Sequence, residues 1–239
     1  MLRALRAAGY RVRVLAHDRA VPADDCETVD GDLRRGGALK GALEGCRYLV
    51  HCAARYSFAP RDRADVARVN VAGTEALFAA AHLAGVERAV VTSSSAAVGP
   101  AHGDALPNED DYPAHRSTDP QRANYHESKL LQERVALASR VPTCAVLPTA
   151  PVGPGDWKPT PTGATIVDFM RGKMIARPPA SGGMNLVDVE QVAEAHVAAL
   201  ERGLPRRRYL AAGENFSFDA LWDVLAELTG RRAPRARAP

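Results

Sequence analysis

The chain has 239 residues, 46% apolar and 25% charged, with a net charge of only +3. That is the composition of a globular α/β domain with room for an appended lobe, and it offers no argument for a nucleic-acid partner. No apolar run approaches the ~20 residues that span a bilayer, no signal peptide is visible in the arginine-interrupted start, and Cys26, Cys46, Cys52 and Cys144 lack the paired spacing of a zinc site. Reduced thiols, a cytoplasmic location, no membrane span and no metal are therefore expected.

In chain order, Met1 to Ala8 reads as helix, with Gly9 at its C-terminal cap. Arg11 to Ala16 reads as a strand, and Cys26 to Val29 as a short second one, with Asp32-Leu33 just after it. A helix carrying Leu39 and Leu43 follows. Tyr48 to Ala54 is a continuous apolar run, as expected of a strand buried on both faces. Val66, Val69, Gly73, Leu77, Ala80 and Ala84 mark one face of a long helix. Ala89 to Ser93 is another buried strand, and residues 99–123, rich in Pro, Asp, Asn and His, read as a loop.

The segment Tyr125-His126-Glu127-Ser128-Lys129 comes next. Asn124 with Glu127 resembles a capping box, and Leu131, Val135 and Ala138 give an apolar stripe, so a helix over 125–139 is predicted. Tyr125 and Lys129 then share a face. A lysine ammonium beside a phenol lowers its pKa, which suits the phenol to move a proton at a carbonyl or alcohol. Taken alone, the pair equally fits an ordinary surface helix. Cys144 to Leu147 is a further strand. Beyond Pro148 the chain is broken by Pro and Gly. A short helix with Ile166, Phe169 and Met170, a strand at 185–187, a helix over 189–202, a strand at Tyr209-Leu210 and a helical stripe of Leu221, Val224, Leu225 and Leu228 complete the pattern. The basic segment 231–237 is expected to be solvated and mobile.

Alternating strands and helices predict an α/β fold with a doubly wound parallel sheet, its ligand at the carboxyl ends of the strands. The expected division is a dinucleotide-binding domain over 1–150 and a smaller C-terminal substrate lobe over 151–239, interleaved with the last sheet elements.

Five motifs in order carry a resemblance: Asp32-Leu33, His51-Cys52-Ala53-Ala54, Asn70-Val71-Ala72-Gly73-Thr74, Thr92-Ser93-Ser94 through Gly99, and Tyr125 with Lys129. Together with Pro148 and Val152-Gly153-Pro154, they make the chain similar to the extended short-chain dehydrogenase/reductases, the NAD-dependent epimerase/dehydratase type. Within them, Pro148 to Pro154, Lys158 to Gly163 and Asn185 to Val189 most resemble the hopanoid-associated sugar epimerase group, itself related to dihydroflavonol-4-reductase-like enzymes.

The resemblance implies a Rossmann-like sheet and hydride transfer on a sugar or other hydroxyl or keto small-molecule substrate. It implies Tyr125 as acid/base, Lys129 lowering its pKa and binding the nicotinamide ribose, Ser94 holding the substrate oxygen, and Asn70 positioning backbone or a relay water. Asp32 and Leu33 would contact adenine; Ala53, Ala54, Pro148 and Val152 would line the dinucleotide. Ser94 as a plain capping hydroxyl and Asp32 as a turn cap stay open. For the cofactor, His17 and Arg19, just after the strand that ends at Ala16, favour NADP over NAD, with Arg19 on the 2′-phosphate, although Asp18 could serve the ribose of NAD.

The family's first strand and glycine-rich turn, which holds the pyrophosphate, have no counterpart here. That strand is the central one in the family's topology, and its absence is expected to expose apolar surface and unpaired edges on both neighbours. The expectation is a fragment, short at its C-terminus too, or a start assigned too far downstream. A catalytically silent product, a simple NADPH-dependent ketone reductase and a homodimer all stay open.

Overall fold

The computed structural model describes residues 1–17, 26–99, 106–113, 124–156, 160–174, 176–177 and 182–237. The chain divides into two compact units, Met1–Pro148 with Ala193–Leu210, and Thr149–Val192 with Ala211–Pro239.

The first unit opens with helix α1 (Leu2–Ala7), which ends where Gly9 turns to a positive φ of 86°. Strands β1 (Arg13–Ala16) and β2 (Glu27–Asp30) pair in parallel as a two-stranded sheet. A 3-10 turn leads into α2 (Leu39–Leu43). A second sheet has β3 (Tyr48–His51), β4 (Arg88–Thr92), β5 (Thr143–Pro148) and β8 (Arg208–Ala211) side by side, the first three parallel. Parallel neighbours need crossover connections. Here these are α3 (Arg63–Ala67) running through a π-helical turn (Arg68–Ala72) into α4 (Gly73–Leu83), and α5 (Tyr125–Leu137). Helix α7 (Val189–Arg202) precedes β8.

The core of this unit is Leu33, Leu39, Leu43, Leu77, Phe78, Val91 and Leu147, with smaller residues between them. Gly73 is needed for the close approach of α4 to the β2 turn: a Cβ there would lie 2.8 Å from that of Leu33. No strand among the described residues is hydrogen-bonded between β1 and β3. Side chains join these two edges instead. Tyr10 meets the Tyr48 ring edge-on at 5.9 Å, and Arg13 donates to the carbonyls of Ala42 and Glu44.

The run 48–54 is therefore not a strand buried on both faces. It leaves the sheet after His51, Tyr48 to Val50 are only partly buried, and Cys52 to Arg55 are exposed; among the described residues β3 has a hydrogen-bonded partner on one side only. Helix α5 also differs from the prediction. Its buried face carries Lys129, Gln132, Glu133 and Ala136, while Leu131 and Val135 are half-buried and Ala138 is exposed. The polar residues go inward because each finds a partner there.

In the second unit, β6 (Ala150–Val152), β7 (Gly183–Asp188) and β9 (Glu214–Ser217) form a sheet, β6 parallel and β9 antiparallel to β7. Neither β6 nor β9 was predicted. Helix α6 (Pro161–Met170) starts with Thr160 as cap and Pro161 in its first turn, and α8 (Phe218–Thr229) with Ser217 as cap. Phe169 stacks on Trp222 at 5.4 Å, and Leu221 and Leu225 complete this core. The basic tail is docked, contrary to expectation. Arg237 pairs with Asp219 at 2.8 Å, and Arg177 donates to the carbonyls of Pro234 and, through its backbone, Ala236.

Candidate active site

Three elements of the first unit meet at the carboxyl end of β4. The strand ends at Thr92, and its carbonyl accepts a 2.6 Å hydrogen bond from Lys129 Nζ on α5. Ser93 Oγ donates to Glu133 Oε2. Ser94 caps the 3-10 turn Ser95–Ala97, its Oγ accepting from the Ala96 amide at 3.1 Å. Its hydroxyl thus has the capping role that its Ser-rich setting suggests, and Ser94 stays partly exposed, its own hydrogen given to no described residue.

Helix α5 begins with the anticipated capping box, Asn124 accepting from the Glu127 amide and Glu127 accepting from that of Asn124. One turn in, Lys129 is buried, and loss of hydration lowers its ammonium pKa to about 8. Besides Thr92, it donates to Gln132 Oε1 at 2.5 Å.

Gln132 is fully buried and at the centre of a polar cluster. Thr74 Oγ1 donates to the Asn70 carbonyl and lies 2.8 Å from His51 Nε2. Gln132 Nε2 lies within hydrogen-bond distance of the Ala53 carbonyl, Thr74 Oγ1 and His51 Nε2. His51 is held neutral, its pKa pushed down to about 3 by burial and then by the nearby Lys129 charge.

Asn70 sits inside the π-helical turn, fully buried, with every hydrogen-bonding atom used. Its Oδ1 accepts from the Arg55 amide at 2.7 Å, and its Nδ2 donates to the Arg55 carbonyl and to Ser128 Oγ. Such turns are frequent at functional sites. Asn70 clamps the segment after β3 onto the first turn of α5.

Tyr125 corrects one expectation. Its phenol makes no hydrogen bond to any described residue, and its ring packs on Tyr56 at 4.3 Å and Phe58 at 5.5 Å. Burial, then proximity to Tyr56, pushes its pKa up to about 12 rather than down. Lys129 does not lower it here because the ammonium is directed at Thr92 and Gln132.

Behind this cluster, Arg208 Nε pairs with Glu133 Oε1 at 2.9 Å, both buried. Its guanidinium also donates to the carbonyls of Ala97, Glu109 and Asp111 and lies 4.0 Å from the centre of the Tyr112 ring. The pair thereby fixes the turn that follows Ser94.

At the carboxyl ends of β1 and β2, Arg34 joins two of the predicted cofactor residues. It forms a 2.8 Å ion pair with Asp32, and its NH2 lies 3.0 Å from His17 Nε2. Asp32 also accepts from the Arg34 amide, a turn-capping contact, and Arg34 holds its pKa down to about 2. The Leu33 side chain is committed to the core, which leaves only its backbone to meet a ligand. Ala53 and Ala54 are exposed just beyond β3, Pro148 is buried at the end of β5, and Val152 lies in β6 of the second unit. Asp18, Arg19 and Lys158 lie outside the described residues. The sequence reading missed Arg34, Gln132, Glu133 and Arg208. Of these, only Gln132 and Glu133 left a signal, as polar residues three and four positions after Lys129 on the same helical face.

Residues 1–212 match the profile of the NAD dependent epimerase/dehydratase family. The chain belongs to that family. It is 37% identical over its whole length to "Putative dihydroflavonol 4-reductase" of Synechocystis sp., covering 71% of that protein. It is 35% identical, again over its whole length, to "Sterol demethylase protein B" of Methylococcus capsulatus, covering 73% of it. Among solved structures, gox2253 superposes with a TM-score of 0.86 at 35% identity, over 98% of this chain and 72% of that one. MoeE5 in complex with UDP-glucose and NAD does so at 0.79 and 26%, over 99% of this chain and 80% of that one. The family and these relatives make the chain an enzyme of the NAD(P)-dependent oxidoreductase and epimerase class with a Rossmann-type α/β fold. Among the described residues, no helix is long and apolar enough to cross a membrane, and no cluster of His, Cys, Asp and Glu suits a metal ion.

Proposed function

We propose that the chain interconverts a ketone and a secondary alcohol, with Tyr125 moving the proton at the substrate oxygen. The bound nicotinamide dinucleotide supplies or accepts the hydride. Ser94 orients the substrate oxygen through its remaining hydrogen, and Lys129 leaves Thr92 and Gln132 to meet the nicotinamide ribose and the phenol. That movement would bring a cation beside Tyr125 and reverse the effect of burial on its pKa. Asn70 holds the walls together and takes no part in proton transfer, since its atoms are fully occupied.

The observation that carries this reading is the 2.6 Å bond from Lys129 to the Thr92 carbonyl, which ties the Tyr125 helix to the strand end that presents Ser94. The donor set also fits a dinucleotide. Arg34, His17 and Asp32 form a polar edge suited to an adenosine, and the small side chains of Ala53 and Ala54 leave exposed room beyond β3. Arg34, beside His17, supports NADP over NAD, because a guanidinium meets a 2′-phosphate with charge-assisted donors. Relatives at 35–37% identity carry reductase and demethylase names, which supports net oxidation or reduction over epimerisation.

The experiment is a calorimetric titration of the chain with NADP and NAD after a melting curve, followed by NADPH oxidation in the presence of ring ketones. Saturable binding with NADP the tighter, and a reduced product, are expected. A cooperatively folded chain that binds neither dinucleotide would overturn the reading.

A further inference from the structure

Residues 55–58 alternate in what they touch. Arg55 pairs with Asp65 at 2.9 Å and Asp62 at 3.7 Å, and Ser57 Oγ donates to Asp62 at 2.6 Å. Between them, Tyr56 and Phe58 meet edge to face at 5.3 Å, and both rings pack on Tyr125. Phe58 also reaches the His126 ring at 5.2 Å.

These rings are fixed yet uncovered. Asn70 grips the Arg55 amide and carbonyl, so the stretch cannot swing away without breaking both bonds. Tyr56 nevertheless remains 46% and Phe58 52% exposed. Contiguous aromatic surface held open beside a reacting group marks a binding face. Its chemistry is selective. Ring faces recognise flat apolar ligands by stacking and desolvation. The one cation in the stretch, Arg55, is turned to the carboxylates of Asp65 and Asp62.

We infer that Tyr56 and Phe58 form the recognition wall for a flat, multi-ring apolar ketone or alcohol, its oxygen directed to Tyr125. This rests on the ketone–alcohol reading above and adds the substrate class to it.

The test is binding, which needs no turnover. Progesterone, a four-ring ketone, and UDP-glucose are each titrated into the full chain and into two double variants, Tyr56→Ala/Phe58→Ala and Tyr56→Phe/Phe58→Tyr. Saturable progesterone binding is expected, weakened at least about tenfold (~1.4 kcal/mol) by the alanine pair. The ring-retaining pair should preserve it, and all three proteins should melt alike, since both rings are half exposed. Tyr125→Phe keeps the aromatic face and should bind progesterone while losing turnover, which separates this inference from the catalytic assignment. No saturable progesterone binding, or equal affinity in the alanine pair, would overturn it. So would UDP-glucose binding that the alanine pair abolishes.

Discussion

Lys129 and Gln132 are joined by a 2.5 Å hydrogen bond between side chains three residues apart on α5, in a compartment closed to water. Gln132 Oε1 therefore favours the charged form of Lys129 and partly offsets a burial that disfavours it. Gln132→Met should lower the Lys129 pKa below its value of about 8. The alkaline limb of the activity profile, where Lys129 loses its proton, should move to lower pH. A pH profile of kcat/KM checks this; an unmoved limb with reduced activity would make Gln132 merely structural.

The same lysine affects stability. Its folded pKa of about 8 lies below the 10.5 of an unperturbed lysine. Between those values the unfolded chain binds more protons, so this group makes stability rise with pH, by up to roughly 3 kcal/mol. Above pH 10, Tyr125 opposes it: with a folded pKa of about 12, it stays protonated while the unfolded phenol ionises. A rise in Tm from pH 8 to 10 that vanishes in Lys129→Met is expected, measured by calorimetry.

His51 governs the acid side. Held neutral with a pKa near 3, it binds fewer protons than the unfolded imidazole at pH 6.5, so stability falls as pH drops through that interval. His51→Gln keeps a polar group beside Thr74 but cannot titrate. Its denaturation midpoint should lose less between pH 7 and 4 than that of the parent chain. Parallel losses would show that other groups dominate.

The buried Arg208–Glu133 pair makes a third contribution. Arg208→Met leaves a carboxylate and Ser93 without the cation, at a cost of roughly 3–5 kcal/mol. Arg208→Met/Glu133→Leu should recover much of that loss. Urea denaturation of both variants checks the coupling; additive losses would rule it out.

Tyr125→Phe should lower turnover at least about 100-fold with the fold intact, as expected for loss of a general acid–base. Turnover assays and a melting curve read the two separately. Retained turnover would remove Tyr125 from the mechanism. Arg34→Ala, which frees Asp32, should weaken NADP binding about tenfold while sparing NAD. Titration with both dinucleotides decides it, and equal weakening would reject the assigned 2′-phosphate contact.

What was legible in the sequence was local. The capping box of Asn124 and Glu127, the turn at Gly9 and the order of strands are set by residues a few positions apart. The polar interior of α5 was not legible because its partners are distant. Gln132 donates to the Ala53 carbonyl and Glu133 pairs with Arg208, so nothing near either residue, beyond its place on the Lys129 face, announces that it is buried. The docked tail is the same case, with Arg237 neutralised by Asp219. Strands β6 and β9 are three and four residues long and hold Pro151 and Asn215, which weaken any strand signal. Of the proposed site, the motifs located Ser94, Tyr125 and Lys129, but not the proton arrangement that binds Lys129 away from Tyr125.

The π-helical turn Arg68–Ala72 holds one residue more than an α-helical path would. Each helical residue rotates the chain by about 100°. Deleting a single residue there would regularise the helix and turn everything before it by that angle relative to α4. Asn70 could then no longer face both Arg55 and Ser128 while Gly73 stays against Leu33. The extra residue acts as a phase shifter between the half of the helix that organises the site and the half that builds the core, so the length of this segment is as constrained as its composition.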